Sequence, residues 1–270
     1  MQRAIAVLDS GVGGLTVVKE LMRQLPWEKI CYFGDTARAP YGPRPAEEVI
    51  AFTREIVDYL AQFEPKMIVI ACNTATAVAL QDIRGRVNLP VIGVIEPGAR
   101  AAIDLTNVGK IGVIGTEGTI KSGAYVHALT KLAPHVQVVS LACPTFVPLV
   151  ENGLFRTREA YAAVSQALLP IKRSEIDCLI LGCTHYPFLA APISEAMDND
   201  VALVHSAEET AKEIAAILTA NNQLAEASAV PVHHFFCSGD PVKFQQIAQD
   251  WLGNPIRLAT VVWQFPQIRL

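Results

Sequence analysis

Short runs of β-branched and aliphatic residues alternate with stretches of helical period along most of the chain. Strands are expected at residues 4–8, 30–33, 67–71 and 91–95, then at 110–114, 136–141, 178–182 and 201–205, with 232–236 and 256–263 closing the chain. After Gly14, the residues Leu15, Val18, Met22 and Leu25 recur at the spacing of one buried helical face. A second helical stretch covers 46–60. The strand runs are apolar throughout rather than alternating, which predicts an α/β fold of parallel sheets covered by helices on both faces.

Two of the strands carry the same ending. Met67-Ile68-Val69-Ile70-Ala71-Cys72-Asn73-Thr74 lines up with Cys178-Leu179-Ile180-Leu181-Gly182-Cys183-Thr184-His185, and the two cysteines lie 111 residues apart, about one domain length. In each, an apolar strand ends in a small residue, then Cys, then polar side chains. The pattern predicts two similar parallel-sheet α/β domains related by pseudo-twofold symmetry, with the active site in the cleft between them. In open parallel sheets ligands bind beyond the carboxyl ends of the strands, which places both cysteines at binding positions. One such cysteine alone reads as an inert apolar side chain. A matched pair, each followed by groups able to hold a ligand, reads as chemistry.

Composition narrows the setting. Of 270 residues 51% are apolar, which excludes a disordered chain, and the formal net charge of −4 comes without any basic stripe, so no nucleic-acid partner is expected. No apolar run approaches the roughly 18 residues needed to span a bilayer, and the N-terminus lacks the pattern of a signal peptide. A cytoplasmic location with no membrane partner is expected. Cys31, Cys143, Cys178 and Cys237 are assigned to packing. No Cys-x-x-Cys pair is present, and no metal is expected.

Two thiols on opposite sides of one substrate suit inversion at carbon. Moving a hydrogen from one face to the other needs a base on one side and an acid on the other, and the two exchange roles when the reaction reverses. An ordinary thiol pKa of about 8.5 needs only a modest downward shift for such work. Asp9 ends the first strand, His185 follows Cys183 by two residues, and Glu151 closes a short apolar run, so each is a candidate assistant. Each also has a plainer reading: Asp9 as a helix cap, Glu151 as a solvated acid, His185 as a structural histidine.

At these residues the chain resembles the glutamate racemases, cofactor-independent members of the aspartate/glutamate racemase family. The resemblance is carried by Asp9-Ser10-Gly11-Val12-Gly13-Gly14-Leu15-Thr16, Pro40-Tyr41-Gly42, Ala71-Cys72-Asn73-Thr74-Ala75 and Gly115-Thr116-Glu117-Gly118-Thr119-Ile120. It continues in Leu181-Gly182-Cys183-Thr184-His185-Tyr186-Pro187 and in Ser238-Gly239-Asp240-Pro241 with Trp251-Leu252-Gly253. It implies interconversion of L- and D-glutamate for peptidoglycan synthesis, without cofactor. It implies that Cys72, helped by Asp9, acts on the D-enantiomer, and Cys183, helped by Glu151 and His185, on the L-enantiomer. Substrate-binding positions by the same resemblance are Asp9, Ser10, Tyr41, Gly42, Asn73, Thr74, Thr184 and His185, with Thr116 and Thr119. A homodimer is implied, and so is a discontinuous first domain of residues 1–95 plus 208–270 around a second of 96–207. Phe188 is bulkier than the Leu expected there, which points to an altered pocket wall.

Three other readings stay open. Gly11-Val12-Gly13-Gly14 after a strand, with Asp35 ending the next, suggests a dinucleotide site, but Thr16 stands where that fingerprint needs a small residue. A racemase or isomerase of aspartate, a hydantoin or maleate would share the two-cysteine logic. A mainly protein-binding or inhibitory role belongs to a different class and would survive loss of both thiols.

Overall fold

The computed structural model describes residues 3–227, 230–253 and 260–264. Among them are ten strands: β1 (Ile5–Asp9), β2 (Ile30–Gly34), β3 (Met67–Ile70), β4 (Val91–Gly93), β5 (Lys110–Gly115), β6 (Gln137–Ala142), β7 (Cys178–Gly182), β8 (Ala202–Val204), β9 (Val232–Cys237) and β10 (Thr260–Gln264). They form two sheets, ordered β10-β9-β2-β1-β3-β4 and β6-β5-β7-β8, and every pairing is parallel. The fold is therefore two parallel-sheet α/β units. The order β2-β1-β3-β4 in the first recurs as β6-β5-β7-β8 in the second, so the repeat lies in topology as well as sequence. The first sheet alone is extended, by β9 and β10 beside β2.

The apolar strands fill both faces of the first sheet. Ile5, Val7, Tyr32 and Val69 point to one side, against the helices Leu15–Gln24, Ser206–Ala220 and Pro241–Leu252. Ala6, Leu8, Phe33, Ile68 and Ile70 point to the other, against Ala46–Ala61 and Asn73–Arg86. Each of the larger side chains contributes about 1.5–3 kcal/mol by leaving water. The face Leu15, Val18, Met22, Leu25 is buried as its spacing predicts.

Three strands differ from expectation. The strand begun at Val91 stops at Gly93, because Ile95 already opens the helix Ile95–Leu105, where the fixed φ of Pro97 suits the first turn. The strand Gln137–Ala142 is an edge with Gln137 and Ser140 exposed, so it is not covered on both faces. Of the segment expected at 256–263, residues 256–259 lie outside the described residues, and β10 runs over Thr260–Gln264. Among the described residues no helix is long and apolar enough to cross a membrane.

Candidate active site

Cys72 and Cys183 follow the third strand of their respective repeats and are 5% and 6% exposed. Both line one narrow cavity between the sheets. Ser10, Tyr41, Gly42, Asn73, Thr74, Thr116, Glu151, Thr184 and His185 line it with them. The walls come from equivalent places: the ends of β1 and β5 give Ser10 and Thr116, and the connections after β2 and β6 give Gly42 and Glu151. Residues brought together from so far apart in sequence share only this strand-end geometry.

The two thiols sit in different electrostatic surroundings. Cys72 caps the helix Asn73–Arg86, its Sγ accepting the Ala75 N–H at 3.4 Å, and lies 3.6 Å from Ser10 Oγ. Burial pushes its pKa up to about 12; the Asp9 carboxylate adds to the rise, and the Ala75 and Ser10 hydrogen bonds oppose it. After Cys183 the chain turns into the short 3₁₀ segment Tyr186–Leu189 instead of a long helix, and the neighbour is a histidine. His185 Nδ1 stands 3.8 Å from Cys183 Sγ, and Nε2 faces Glu151 Oε1 at 3.3 Å, an ion-pair distance without the alignment of a hydrogen bond. Burial works against the imidazolium, but Cys183 and Glu151 outweigh it and raise the His185 pKa to about 10. Glu151 is held below its ordinary value by His185, and its side chain is 36% exposed at the cavity wall, so it is neither a free surface acid nor a core residue.

Asp9 lies behind the wall, fully buried. Its Oδ1 accepts the Gly11 N–H at 3.0 Å, and Oδ2 takes the Thr184 hydroxyl at 3.4 Å from the other unit. It is not the N-cap residue of the helix Leu15–Gln24, a place held by Gly14. Burial raises its carboxyl pKa, with His185 and the N–H groups of Gly14 and Gly11 pulling the other way. The glycine-rich turn serves this packing rather than a phosphate. A Cβ on Gly13 would collide with Thr184 and stand 2.6 Å from His185 Nδ1, and one on Gly14 would stand 2.5 Å from Asp9 Cβ.

The hydroxyls of two candidates are taken up by other protein groups. Tyr41 lines the cavity, but its hydroxyl is hydrogen-bonded to Asp35, which Arg38 and Ser238 also hold. Asp35 thus anchors the loop 35–42 and has no role as a ribose-binding acid. Thr119 is 1% exposed and lies behind Thr74 and Thr116, with the three hydroxyls mutually bonded at 2.9–3.2 Å across the two units. Ala39 and Val147 line the cavity without any sequence signal, since apolar wall residues carry no chemistry to notice, and Pro40 lines it from the Pro40-Tyr41-Gly42 motif. Phe188 is not in this wall; it packs on Trp251 at 3.9 Å between ring centres and on Phe155.

The described lining residues include no Lys or Arg, and among the described residues no cluster of His, Cys, Asp or Glu is arranged for a metal. Free space between the cysteines is about 20 Å³, close to the room one water needs, whereas the vestibule between Pro40, Thr116, Val147, Glu151 and Lys243 holds about 290 Å³. An amino acid enters the inner cavity only if these walls part.

Two strand-end cysteines meet in a closed cleft between two α/β repeats, and the family model described as Asp/Glu/hydantoin racemase matches residues 12–214 of this chain, which places it among the amino-acid racemases. The glutamate racemase of Oceanobacillus iheyensis is 54% identical over 92% of this chain and 91% of its own. Among solved structures, glutamate racemase isoform RacE1 from Bacillus anthracis is 49% identical, with a TM-score of 0.93 over 99% of this chain and 98% of that one. The Francisella tularensis glutamate racemase, solved with D-glutamate, is 33% identical, with a TM-score of 0.90 over the same shares. The chain belongs to the glutamate racemases of the Asp/Glu/hydantoin racemase family.

Proposed function

We propose that the protein interconverts L- and D-glutamate with Cys72 and Cys183 as the two acid–base groups, without cofactor. The observation that carries this reading is the pair of thiols entering one cavity from equivalent ends of two repeats, which suits attack on opposite faces of one α-carbon. The Cys183 thiolate takes the α-hydrogen of L-glutamate as a proton, leaving a carbanion. The Cys72 thiol gives its proton to the opposite face, and D-glutamate forms with the thiol and thiolate exchanged. Burial keeps Cys72 protonated at rest, and the His185 imidazolium supplies a counter-charge for a thiolate on Cys183.

An α-hydrogen is barely acidic without an electron sink, so the carboxylate must be stabilised as charge develops. The opening turn of Asn73–Arg86 and the hydroxyls of Ser10, Thr74, Thr116 and Thr184 supply dipoles already oriented in a narrow, enclosed site. Asp9 assists Cys72; Glu151 and His185 assist Cys183. Kinship with the glutamate racemases supports glutamate over aspartate, a role in supplying D-glutamate to peptidoglycan, a homodimer and a cytoplasmic location. We divide the chain into residues 1–95 with 208–270 and residues 96–207. The crossings then fall near the helices Ile95–Leu105 and Ser206–Ala220; residues 1–2, 228–229, 254–259 and 265–270 of that division lie outside the described residues.

The test is incubation of metal-free protein with L-glutamate in deuterated water, followed by circular dichroism and by NMR of the α-hydrogen. Racemisation with deuterium entering the product, lost in Cys72→Ala and Cys183→Ala, is the expected result. Exchange of aspartate but not glutamate overturns the substrate. Variants that racemise like the wild type overturn the two-thiol mechanism.

A further inference from the structure

Tyr125, on the helix Ala124–Leu132 of the second unit, is 2% exposed, and its hydroxyl reaches Asn73 Oδ1 of the first unit at 2.7 Å. Asn73 is itself 3% exposed and lines the cavity beside Cys72. Its Nδ2 is enclosed yet has no hydrogen-bond partner among the described residues. Leaving a buried donor bare costs about 1–3 kcal/mol, a cost relieved only when an acceptor arrives.

Which end of an Asn amide faces a ligand is decided by its neighbours. A tyrosine hydroxyl has a single proton to give. The Tyr125 hydroxyl gives that proton to Asn73 Oδ1, and Ser206, 5% exposed, stands beside the same hydroxyl across Gly98. Oδ1 is then committed as an acceptor, and Nδ2 is left as the amide's donor. Gly98 keeps this corner open, since a Cβ there would stand 3.2 Å from Ser206 Cβ and 3.5 Å from the Tyr125 hydroxyl.

We propose that Tyr125, backed by Ser206, is a positioning residue that locks the Asn73 amide with its N–H towards the substrate, so that this spot takes a carboxylate rather than the ammonium group. The inference rests on the reading of the cavity as a glutamate-racemising site. It also ties carboxylate binding to the approach of the two units, because the locking bond spans them. The lock serves both enantiomers alike, unlike the thiols, each of which serves one face.

The test compares wild type, Tyr125→Phe, Ser206→Ala and the double variant, with glutarate, a dicarboxylate without an amino group, as competitive inhibitor. Tyr125→Phe should raise KM for L- and D-glutamate together by roughly fivefold or more, the scale of one neutral hydrogen bond, with kcat within about twofold. The inhibition constant of glutarate should rise in step, and Ser206→Ala should add nothing once Tyr125 is changed. A lowered melting temperature with KM unchanged would make Tyr125 merely structural and overturn the inference. So would a raised KM with glutarate unaffected, which would put the amide on the amino group. A wild type that does not racemise glutamate removes the functional reading and this inference with it; an active wild type with an indifferent Tyr125→Phe removes the inference alone.

Discussion

His185 Nδ1 lies 3.8 Å from Cys183 Sγ, only two residues back in the chain, while its other ring nitrogen faces Glu151 at 3.3 Å. The imidazole is thus held between a thiol and a carboxylate, and both favour its charged form. Its pKa of about 10 depends in part on Glu151, so Glu151→Gln should lower it. The alkaline limb of kcat for L-glutamate should move to lower pH, and the His185 ring resonances should titrate earlier. At neutral pH kcat should fall about tenfold, short of the hundredfold or more expected for a group that itself carries the proton. An alkaline limb unmoved in Glu151→Gln would dissociate Glu151 from the Cys183 side.

Gly13 matters because the second unit presses against it. Ala at this position would drive Thr184 and His185 away from Cys183, so kcat should fall about tenfold or more, the kinetic equivalent of mild overpacking. Gly42→Ala should act on binding instead. Its Cβ would stand 2.7 Å from Thr116 Cβ and strain the Gly118 N–H to Gly42 carbonyl bond of 2.8 Å, which joins the two units. Steady-state kinetics on both variants checks the split, and equal effects on kcat and KM in the two would refute it.

Asp9 sets activity against stability. Its carboxyl is buried and held above the ordinary value of 3.8, so the folded state prefers it neutral, and stability declines as pH rises past that value. Asp9→Asn is neutral at every pH. Thermal melting should find the variant matching wild type in acid and exceeding it by a few degrees at neutral pH, while racemisation falls about a hundredfold. A variant less stable than wild type at neutral pH would show that the Asp9 hydrogen bonds outweigh its burial.

Much of this site is legible in the sequence because it is written twice. The strand–Cys–polar ending at Cys72 and at Cys183 locates both thiols, and parallel-sheet logic then carries them to one end of their strands. The direction of a side chain is not written that way. Tyr41 sits in the wall, but its hydroxyl turns to Asp35; Thr119 belongs to the same hydroxyl trio as Thr74 and Thr116 yet stays behind them. Those orientations are settled by partners distant in sequence, as is the reach of Tyr125 to Asn73. The glycine run misleads for the same reason. Its local pattern suggests a ligand turn, whereas the constraint on Gly13 comes from residues some 170 positions later.

At the amino ends of the same strands, away from the thiols, Lys66 Nζ lies 2.5 Å from Glu28 Oε2, with both side chains almost fully buried. Lys66 also donates to the Gln223 carbonyl at 2.7 Å, and Glu28 Oε1 accepts the Ala225 N–H at 2.8 Å. Together they fasten the connection after the helix Ser206–Ala220 to the edge leading into β2 and β3. Removing one charge leaves the other buried and unpaired, a loss of about 3–5 kcal/mol. Lys66→Met should therefore lower the melting temperature by roughly ten degrees, with KM and kcat unchanged at a temperature where the variant is folded. The double variant Glu28→Gln with Lys66→Met should recover part of that stability, since no unpaired charge remains. If Lys66→Met instead changed KM, the anchoring of this connection would reach the cleft, and the separation of stability from binding drawn between the two ends of the strands would be wrong.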